Sequence, residues 1–113
     1  MCIRDRAETS LALAEELSML GEEGLTRRTL GSIAAAEGQT DEAERELQRA
    51  IQILSQVGDN YGLACAQLSL AELCSHASDA ERRSQLLAES MPVFERLGAA
   101  LEMGRAQTLV SLA

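Results

Sequence analysis

The amino-acid sequence predicts an all-α fold of about six helices, in which antiparallel helix pairs repeat along the chain and stack as an α-solenoid. Ala and Leu, two strong helix formers, occur 18 times each, whereas the chain holds one Tyr, one Phe and no Trp. A chain so poor in aromatic and β-branched residues has little to build a sheet from. Apolar residues recur at helical spacing, and the chain resembles itself at an offset of 40 residues. A period of this length is typical of stacked helix pairs.

The 40-residue offset keeps one register along the chain. It aligns apolar with apolar and small with small residues: Leu30 with Leu70, Ala34 with Cys74, Leu47 with Leu87, Ala50 with Ser90, and Leu54 with Phe94. The offset divides residues 7–113 into a partial repeat over 7–21, full repeats over 24–58 and 64–98, and a partial repeat over 99–113.

The partial repeat and the first full repeat show helix signals in order. The first predicted helix carries Leu11, Ala14, Leu17 and Leu20 and ends at Gly21. The second carries Leu30, Ile33, Ala34 and Glu37 at i, i+3, i+4 and i+7 and ends at Gly38. The third is predicted to begin near Asp41, which has capping-box spacing to Glu44, and to end at Gly58. Its apolar stripe comprises Ala43, Leu47, Ala50, Ile51 and Leu54.

The second full repeat shows the same order of signals. A helix is predicted from about Tyr61 to His76, followed by a turn over 75–78. Ser78 and Glu81 then have the spacing of a capping box at the start of the next helix.

That next helix contains Pro92 and runs to Gly98. The proline should remove the hydrogen bond to the Ala88 carbonyl and kink the helix. Because the residue 40 positions earlier is Gln52, position 92 should face solvent. Residues 99–113 are predicted to form the first helix of a further repeat.

The repeated residues resemble the tetratricopeptide repeat. The unit of that family has a Leu-Gly pair in its first helix, a small residue at the turn, and Ala, a large apolar residue and Ala in its second helix. The first full repeat matches with Leu30-Gly31, Gly38, Ala43, Leu47 and Ala50, and the second with Leu70-Ala71, Ser78, Leu87 and Ser90. Arg83 stands where the second full repeat should have the first small residue of its second helix. This substitution puts tight packing between the two helices of that repeat in question. The usual Trp and closing Pro are missing, and the period exceeds the usual ~34 residues.

The segments between repeats resemble those of one bacterial subgroup of the family. Gly-Glu-Glu-Gly-Leu at 21–25 and Gly-Asp-Asn-Tyr-Gly-Leu at 58–63 are similar to segments in the repeat regions of MalT-type transcriptional regulators and of cyclase-linked or signalling ATPases. In contrast, residues 1–6 resemble the translation of a transposon-end adapter used in preparing sequencing libraries. We therefore expect 1–6 to be non-native and residues 7–113 to be a fragment of a longer array.

Charge and hydropathy disfavour several kinds of partner. The net charge is −8, all ten positive charges are Arg, and no basic stripe is present, so the segment is a poor candidate for binding nucleic acid. No apolar run approaches the ~20 residues of a membrane helix. We therefore expect neither nucleic acid nor a membrane as a partner of this segment.

The chemistry-bearing residues indicate packing rather than catalysis. Cys65 and Cys74 are nine residues apart on one predicted helix and point to opposite sides, so they cannot share a metal or form a disulfide. We interpret them as buried small residues in a reducing cytoplasm. His76 lies at a helix end, and we expect Glu72, one turn earlier, to form a surface pair with it rather than a catalytic dyad. With no phosphate loop, zinc spacing or nucleophile elbow, the sequence predicts no enzyme activity, no cofactor and no metal.

The resemblance implies a concave groove lined by the first helices of the repeats, which often holds an extended or helical peptide. Mapped by register, the groove residues of this chain are Arg28, Ser32, Ala35, Cys65, Leu68, Glu72, His76, Arg105 and Thr108. The version of the groove that grips a terminal carboxylate uses Lys and Asn, whereas this chain has no Lys and a single Asn, Asn60, in a turn. Arg28 and Arg105 could still pair with acidic groups of a ligand. The alternative is that both are ordinary solvent-exposed arginines without a role in binding.

Two functions agree with these observations. The first is a non-catalytic protein-interaction scaffold, part of a larger bacterial signalling or transcriptional regulator, that binds a protein or peptide segment or packs against neighbouring domains of its own chain. The second is the sensory or regulatory arm of a multidomain enzyme, either an ATPase or a nucleotide cyclase.

Overall fold

The computed structural model describes residues 7–9, 20–74 and 79–111, and all regular structure in these ranges is helical. The complete helices are α1 (Leu20–Ala36), α2 (Thr40–Val57), α3 (Asn60–Cys74), α4 (Ala80–Leu97) and α5 (Ala100–Val110). Residues 1–59 form one compact unit and residues 60–113 a second. In unit 1, α1 packs against α2, and in unit 2, α3 packs against α4 while α5 packs against both. The predicted all-α class of paired helical repeats is therefore confirmed.

Some predicted features lie outside the described residues. They are the segment 1–6, the helix over 11–19, His76, and the turn at 75–78 with Ser78.

Glycine ends the helices where the sequence predicted. Gly38, Gly58 and Gly98 follow α1, α2 and α4 with φ between 68° and 79°, a left-handed conformation that glycine adopts without steric cost. The amide of Gly58 donates to the Ser55 carbonyl, and that of Gly98 to the Glu95 carbonyl, which satisfies carbonyls left free at each helix end.

The predicted helix starts need correction. Helix α2 begins at Thr40 without a side-chain cap, so Asp41 lies inside the first turn. Helix α4 is capped by Asp79, whose carboxylate accepts from the Arg82 amide at 3.3 Å. Gly21 does not end a helix but lies inside α1, where the other helix-forming residues outweigh the ~1 kcal/mol cost of one glycine.

The core of unit 1 lies between α1 and α2. Its buried apolar residues include Leu30, Ala34, Ala43, Leu47, Ala50, Ile53 and Leu54. Ile51, which we expected in the stripe of α2, is only half-buried, while Ile53 is buried. Glycines in α1 let the helices approach closely: a Cβ at Gly24 would lie 2.9 Å from Leu54 Cγ, and one at Gly31 would lie 2.7 Å from Leu47 Cγ.

A charged network crosses the same helix pair. The Arg27 guanidinium donates to Glu23 on α1 at 3.2 Å and to Glu46 on α2 at 3.1 Å. The three side chains are between 8% and 19% exposed, so the charges are largely removed from water. The equivalent positions of the second repeat hold Leu63, Gln67 and Leu86.

Arg27→Gln should lower the free energy of unfolding by about 1 to 3 kcal/mol, because the Glu23 carboxylate loses its ion pair while still buried. The triple variant Glu23→Leu, Arg27→Gln and Glu46→Leu should recover most of this loss, because it removes the buried charges together. Urea unfolding followed by circular dichroism measures both effects. Arg49→Gln, on the exposed side of α2, is the matched control and should change stability by less than about 0.5 kcal/mol. A triple variant less stable than Arg27→Gln would contradict this interpretation.

The core of unit 2 joins three helices. Ala64, Leu68 and Ala71 of α3, Leu87 and Phe94 of α4, and Ala106 and Leu109 of α5 form one buried cluster. Arg83 does not prevent α3 from packing on α4, although its side chain is itself buried. Pro92 is exposed, as its alignment with Gln52 predicted.

One buried polar side chain of unit 2 stands out among the described residues. Ser90 is completely buried on α4, and its hydroxyl has no hydrogen-bond partner among the described residues. The equivalent residue of the first repeat, Ala50, is also completely buried.

Ser90→Ala should therefore raise the free energy of unfolding by about 1 kcal/mol or more, because it removes an unsatisfied hydroxyl from the core. Ser84→Ala, at an exposed position of α4, controls for the higher helix propensity of alanine. Thermal and urea unfolding of both variants measure the difference. An equal gain from the two substitutions would show that the buried hydroxyl has no cost.

Candidate functional site

The strongest candidate site lies in unit 2, where α3 and α5, the first helices of successive repeats, pack side by side. Three of the residues predicted for the groove, Cys65, Glu72 and Arg105, meet there, and two others, Tyr61 and Glu102, join them. We call the surface formed by these five residues the polar face. Its side chains are exposed or half-buried, so a ligand has access to them.

A bidentate ion pair links the two helices of the polar face. Arg105 Nε donates to Glu72 Oε2 at 3.0 Å, and Arg105 Nη2 donates to Glu72 Oε1. The hydrogen bond with Glu72 raises the pKa of Arg105. This fork holds both side chains in one orientation at an accessible position. Because Arg105 is already paired, an acidic ligand would have to compete with Glu72 for it.

A second polar contact joins the same helices at the other end of the face. The Tyr61 hydroxyl donates to Glu102 Oε1, and this hydrogen bond raises the pKa of Tyr61 and lowers that of Glu102. The Tyr61 ring packs edge-on against Phe94, with ring centroids 6.4 Å apart and an interplanar angle of 81°. Cys65, half-buried and with a free thiol, lies one turn after Tyr61 and two turns before Glu72 on α3, and so lies between the two contacts.

The other predicted groove residues are placed differently. Leu68 belongs to the buried core of unit 2 and is 0% exposed, so its side chain offers no surface to a ligand, and that assignment is wrong. Thr108 is exposed on α5, but its hydroxyl donates to the Gly104 carbonyl one turn earlier. In unit 1, Arg28 is half-buried and Ser32 and Ala35 are exposed on α1.

Sequence reasoning missed Tyr61 and Glu102. Tyr61 is the only tyrosine and lies one turn before Cys65, and Glu102 lies one turn before Arg105, so helical spacing could have placed each on the same helix face as a predicted residue. Their pairing across 41 positions depends on how α3 and α5 pack and has no sequence signal.

The described residues hold no group of three His, Cys, Asp or Glu side chains arranged to bind a metal ion. Within the same part of the chain, no helix combines the length and the apolar character needed to cross a membrane.

Comparison with known proteins identifies the repeat. No curated protein and no solved structure matches the chain significantly. A family model described as tetratricopeptide repeat matches residues 22–96, which cover nearly all of the two helix pairs. This repeat is a non-catalytic fold that generally mediates protein–protein interaction. The match covers well over half of the sequence, and the paired helices and their 40-residue register agree with it, so the chain belongs to the tetratricopeptide repeat family.

Proposed function

We propose that this chain is a protein-interaction scaffold that binds a peptide segment of a partner, or of a neighbouring domain, on the polar face. The observation that carries the proposal is the pair of polar contacts, Arg105 with Glu72 and Tyr61 with Glu102, which join successive first helices at an accessible surface. Exposed ion pairs and hydrogen bonds of this kind contribute little to stability, typically about 0 to 1 kcal/mol. We therefore assign these ordered polar contacts to ligand recognition rather than to stabilisation of the fold.

The chemistry of the polar face suits a peptide. Tyr and Arg are the residues most often found at the energetic centre of protein interfaces, because each combines a broad contact surface with hydrogen-bonding groups. The rigid Tyr61 ring, seated against Phe94, loses little conformational entropy when a ligand packs on it. Glu72 and Glu102 supply acceptors for backbone amides or for basic side chains. With two carboxylates and one guanidinium, the polar face favours a neutral or basic segment over an acidic one.

Selection of peptides against the immobilised chain tests this proposal. A selected peptide should bind the double variant Tyr61→Ala, Arg105→Ala at least about tenfold more weakly than the natural sequence, a loss of ~1.4 kcal/mol. Arg96→Ala is the matched control, because Arg96 is exposed on α4 and does not belong to the polar face, and the change removes the same charge. Affinity should then fall less than about twofold.

Equal affinity of the natural chain and the double variant for every selected peptide would contradict the proposed site. Circular dichroism of the double variant guards against misfolding, and its helix signal should match that of the natural chain because both altered residues are at the surface.

We further propose that the segment comes from a larger cytoplasmic bacterial regulator of signalling or transcription. Support comes from the similarity of residues 21–25 and 58–63 to the inter-repeat segments of the MalT-type subgroup. Sequencing the DNA on both sides of the coding segment tests this. A helix-turn-helix domain on the same reading frame is the expected result, whereas a nucleotide-binding loop or cyclase motif without a DNA-binding domain would favour the regulatory arm of an enzyme.

A further inference from the structure

Arg83 lies near the start of α4 and carries a charge that no described residue neutralises. The residue is only 7% exposed, and its side chain has no hydrogen bond or ion pair within the described part of the chain. Ala43, the equivalent residue of the first repeat, is completely buried, so a helix pair of this kind packs without an arginine at that position. Because an unpaired guanidinium in such surroundings is energetically costly, it favours binding of an anionic partner.

Arg83 lines a cavity of about 250 Å³ between the first half of α4 and the end of α5, which we call the Arg83 cavity. The other lining residues are mostly apolar: Ser84, Leu87, Ala88, Met91, Leu109 and Val110. Arg83 is therefore the only charged residue in the described wall. Its nitrogen atoms retain some contact with solvent, because the Ser90 hydroxyl is the one unpaired side-chain N or O atom, among the described residues, that is fully sealed. A ligand that enters the cavity can reach them.

The α4 wall of the cavity is an outer surface of the repeat. Ser84 and Ala88 form this wall, and the equivalent residues of the first repeat are Glu44 and Gln48. Both are polar, Glu44 is half-buried, and Gln48 is exposed. The register therefore assigns no packing partner to this side of the second helix, and the feature that distinguishes the second repeat here is the charge of Arg83.

We propose that the Arg83 cavity binds a small carboxylic acid, whose carboxylate pairs with the Arg83 guanidinium while its apolar part contacts Met91 and Val110. A guanidinium and a carboxylate match through two parallel hydrogen bonds, and a cavity with apolar walls strengthens such a pair by excluding water. A phosphate, with its greater charge, is disfavoured because only the Ser84 hydroxyl adds a second side-chain donor to the described wall.

The volume of the cavity limits the size of the acid. Pockets for drug-sized ligands enclose about 300 to 1,000 Å³, whereas a benzene molecule occupies a cavity of ~150 Å³. The Arg83 cavity lies between these values, which suits a carboxylate attached to one ring or to a short aliphatic chain. Benzoate and hexanoate represent the two types. The cavity is separate from the polar face, so this proposal adds a small-molecule ligand to the proposed peptide partner.

Titration of the full 113-residue chain with benzoate and with hexanoate, followed by amide chemical shifts, tests the choice of ligand. Half-saturation is expected at about 1 mM, within the range that a ligand of this size can reach. Benzamide, which has the same ring without the charge, should bind at least about tenfold more weakly than benzoate. Equal affinity for benzoate and benzamide would overturn the proposal.

Variants of Arg83 test the role of its charge. Arg83→Met keeps a long unbranched side chain and should weaken benzoate binding by about tenfold or more, while it changes benzamide binding by less than about twofold. Arg83→Ala, which introduces the residue of the first repeat, gives the same test if Arg83→Met does not fold. Arg96→Met, at an exposed position of α4, is the matched control and should leave benzoate binding unchanged. Unchanged benzoate binding to a folded Arg83 variant would overturn the proposal.

A substitution in the α4 wall locates the ligand. Ala88→Phe should weaken benzoate binding by about tenfold, because the ring occupies the cavity, and the exposed position should tolerate it. Gln85→Phe is the matched control, since Gln85 is exposed on the same helix and does not line the cavity. Equal affinity of these two variants for benzoate would place the ligand elsewhere and overturn the proposal.

Two further outcomes separate this site from other sources of binding. A blocked glutamate amide that binds through Arg83, when neither benzoate nor hexanoate binds, would assign the cavity to an acidic side chain of a polypeptide and overturn the proposal. The double variant Tyr61→Ala, Arg105→Ala should bind benzoate as the natural chain does, so the result is independent of the polar face. Loss of benzoate binding in that folded double variant would assign the acid to Arg105 instead and contradict the Arg83 site.

Discussion

Phe94→Ala should lower the free energy of unfolding of unit 2 by about 3 to 5 kcal/mol. The Phe94 ring is completely buried in the cluster that joins α3, α4 and α5, and it supports the Tyr61 ring edge-on. Truncation removes its apolar surface from the core and leaves a cavity that small neighbours such as Ala64, Ala71 and Ala106 cannot fill. Because domains of this size are typically stable by only about 5 to 15 kcal/mol, the loss should unfold much of unit 2 at moderate temperature.

Urea unfolding followed by circular dichroism, together with amide hydrogen exchange, measures the effect and assigns it to unit 2. Phe94→Leu introduces the residue that the first repeat holds at the equivalent position, Leu54, and should cost less than Phe94→Ala because leucine fills part of the cavity. Leu97→Ala is the control, because Leu97 is 54% exposed on the same helix and should change stability by about 0.5 kcal/mol at most. A Phe94→Ala variant as stable as Leu97→Ala would show that this cluster is not the core of unit 2.

Gly31→Val should destabilise unit 1 by about 2 to 3 kcal/mol. A Cβ at this position would lie 2.7 Å from Leu47 Cγ and 3.3 Å from the Ala43 carbonyl oxygen. Leu47 is completely buried, and its Cγ is a branch point rather than a flexible end, so α1 and α2 would have to separate. The small gain in helix propensity from replacing glycine does not compensate for this separation.

Gly21→Val is the control for Gly31→Val, because it makes the same change in the same helix at a position where a Cβ meets no described atom within 4 Å. We expect Gly21→Val to be neutral or slightly stabilising, and thermal unfolding compares the two. If both substitutions had the same effect, the close approach of α1 and α2 at Gly31 would be refuted.

The sequence predicted the fold because its strongest signals are local and repeated. Glycines that adopt positive φ end α1, α2 and α4, and the stripe at positions 43, 47, 50 and 54 requires a helix partner. Helix starts were predicted less well, because a capping box is recognised only by its spacing and acidic residues are also common inside the first turn. Asp41 illustrates this, since it lies within α2 rather than at its cap.

The polar face was only partly predictable. Spacing along a helix placed Cys65, Leu68 and Glu72 together, but α3 packs against both α4 and α5, so more of its circumference is buried than the period alone indicates. Leu68 falls on the buried side for this reason. Tyr61 and Glu102 were missed because these two residues are 41 positions apart, and their contact depends on how α3 and α5 pack against each other.

The central claim is that a peptide binds this tetratricopeptide repeat region on the polar face. Titration of the isotopically labelled chain with a selected peptide, followed by amide chemical shifts in nuclear magnetic resonance spectra, tests it most directly. The largest shift changes should fall on Tyr61, Cys65, Glu72, Glu102 and Arg105. Changes concentrated instead on the exposed side of α4, around Ser84, Gln85 and Ala88, would contradict the claim.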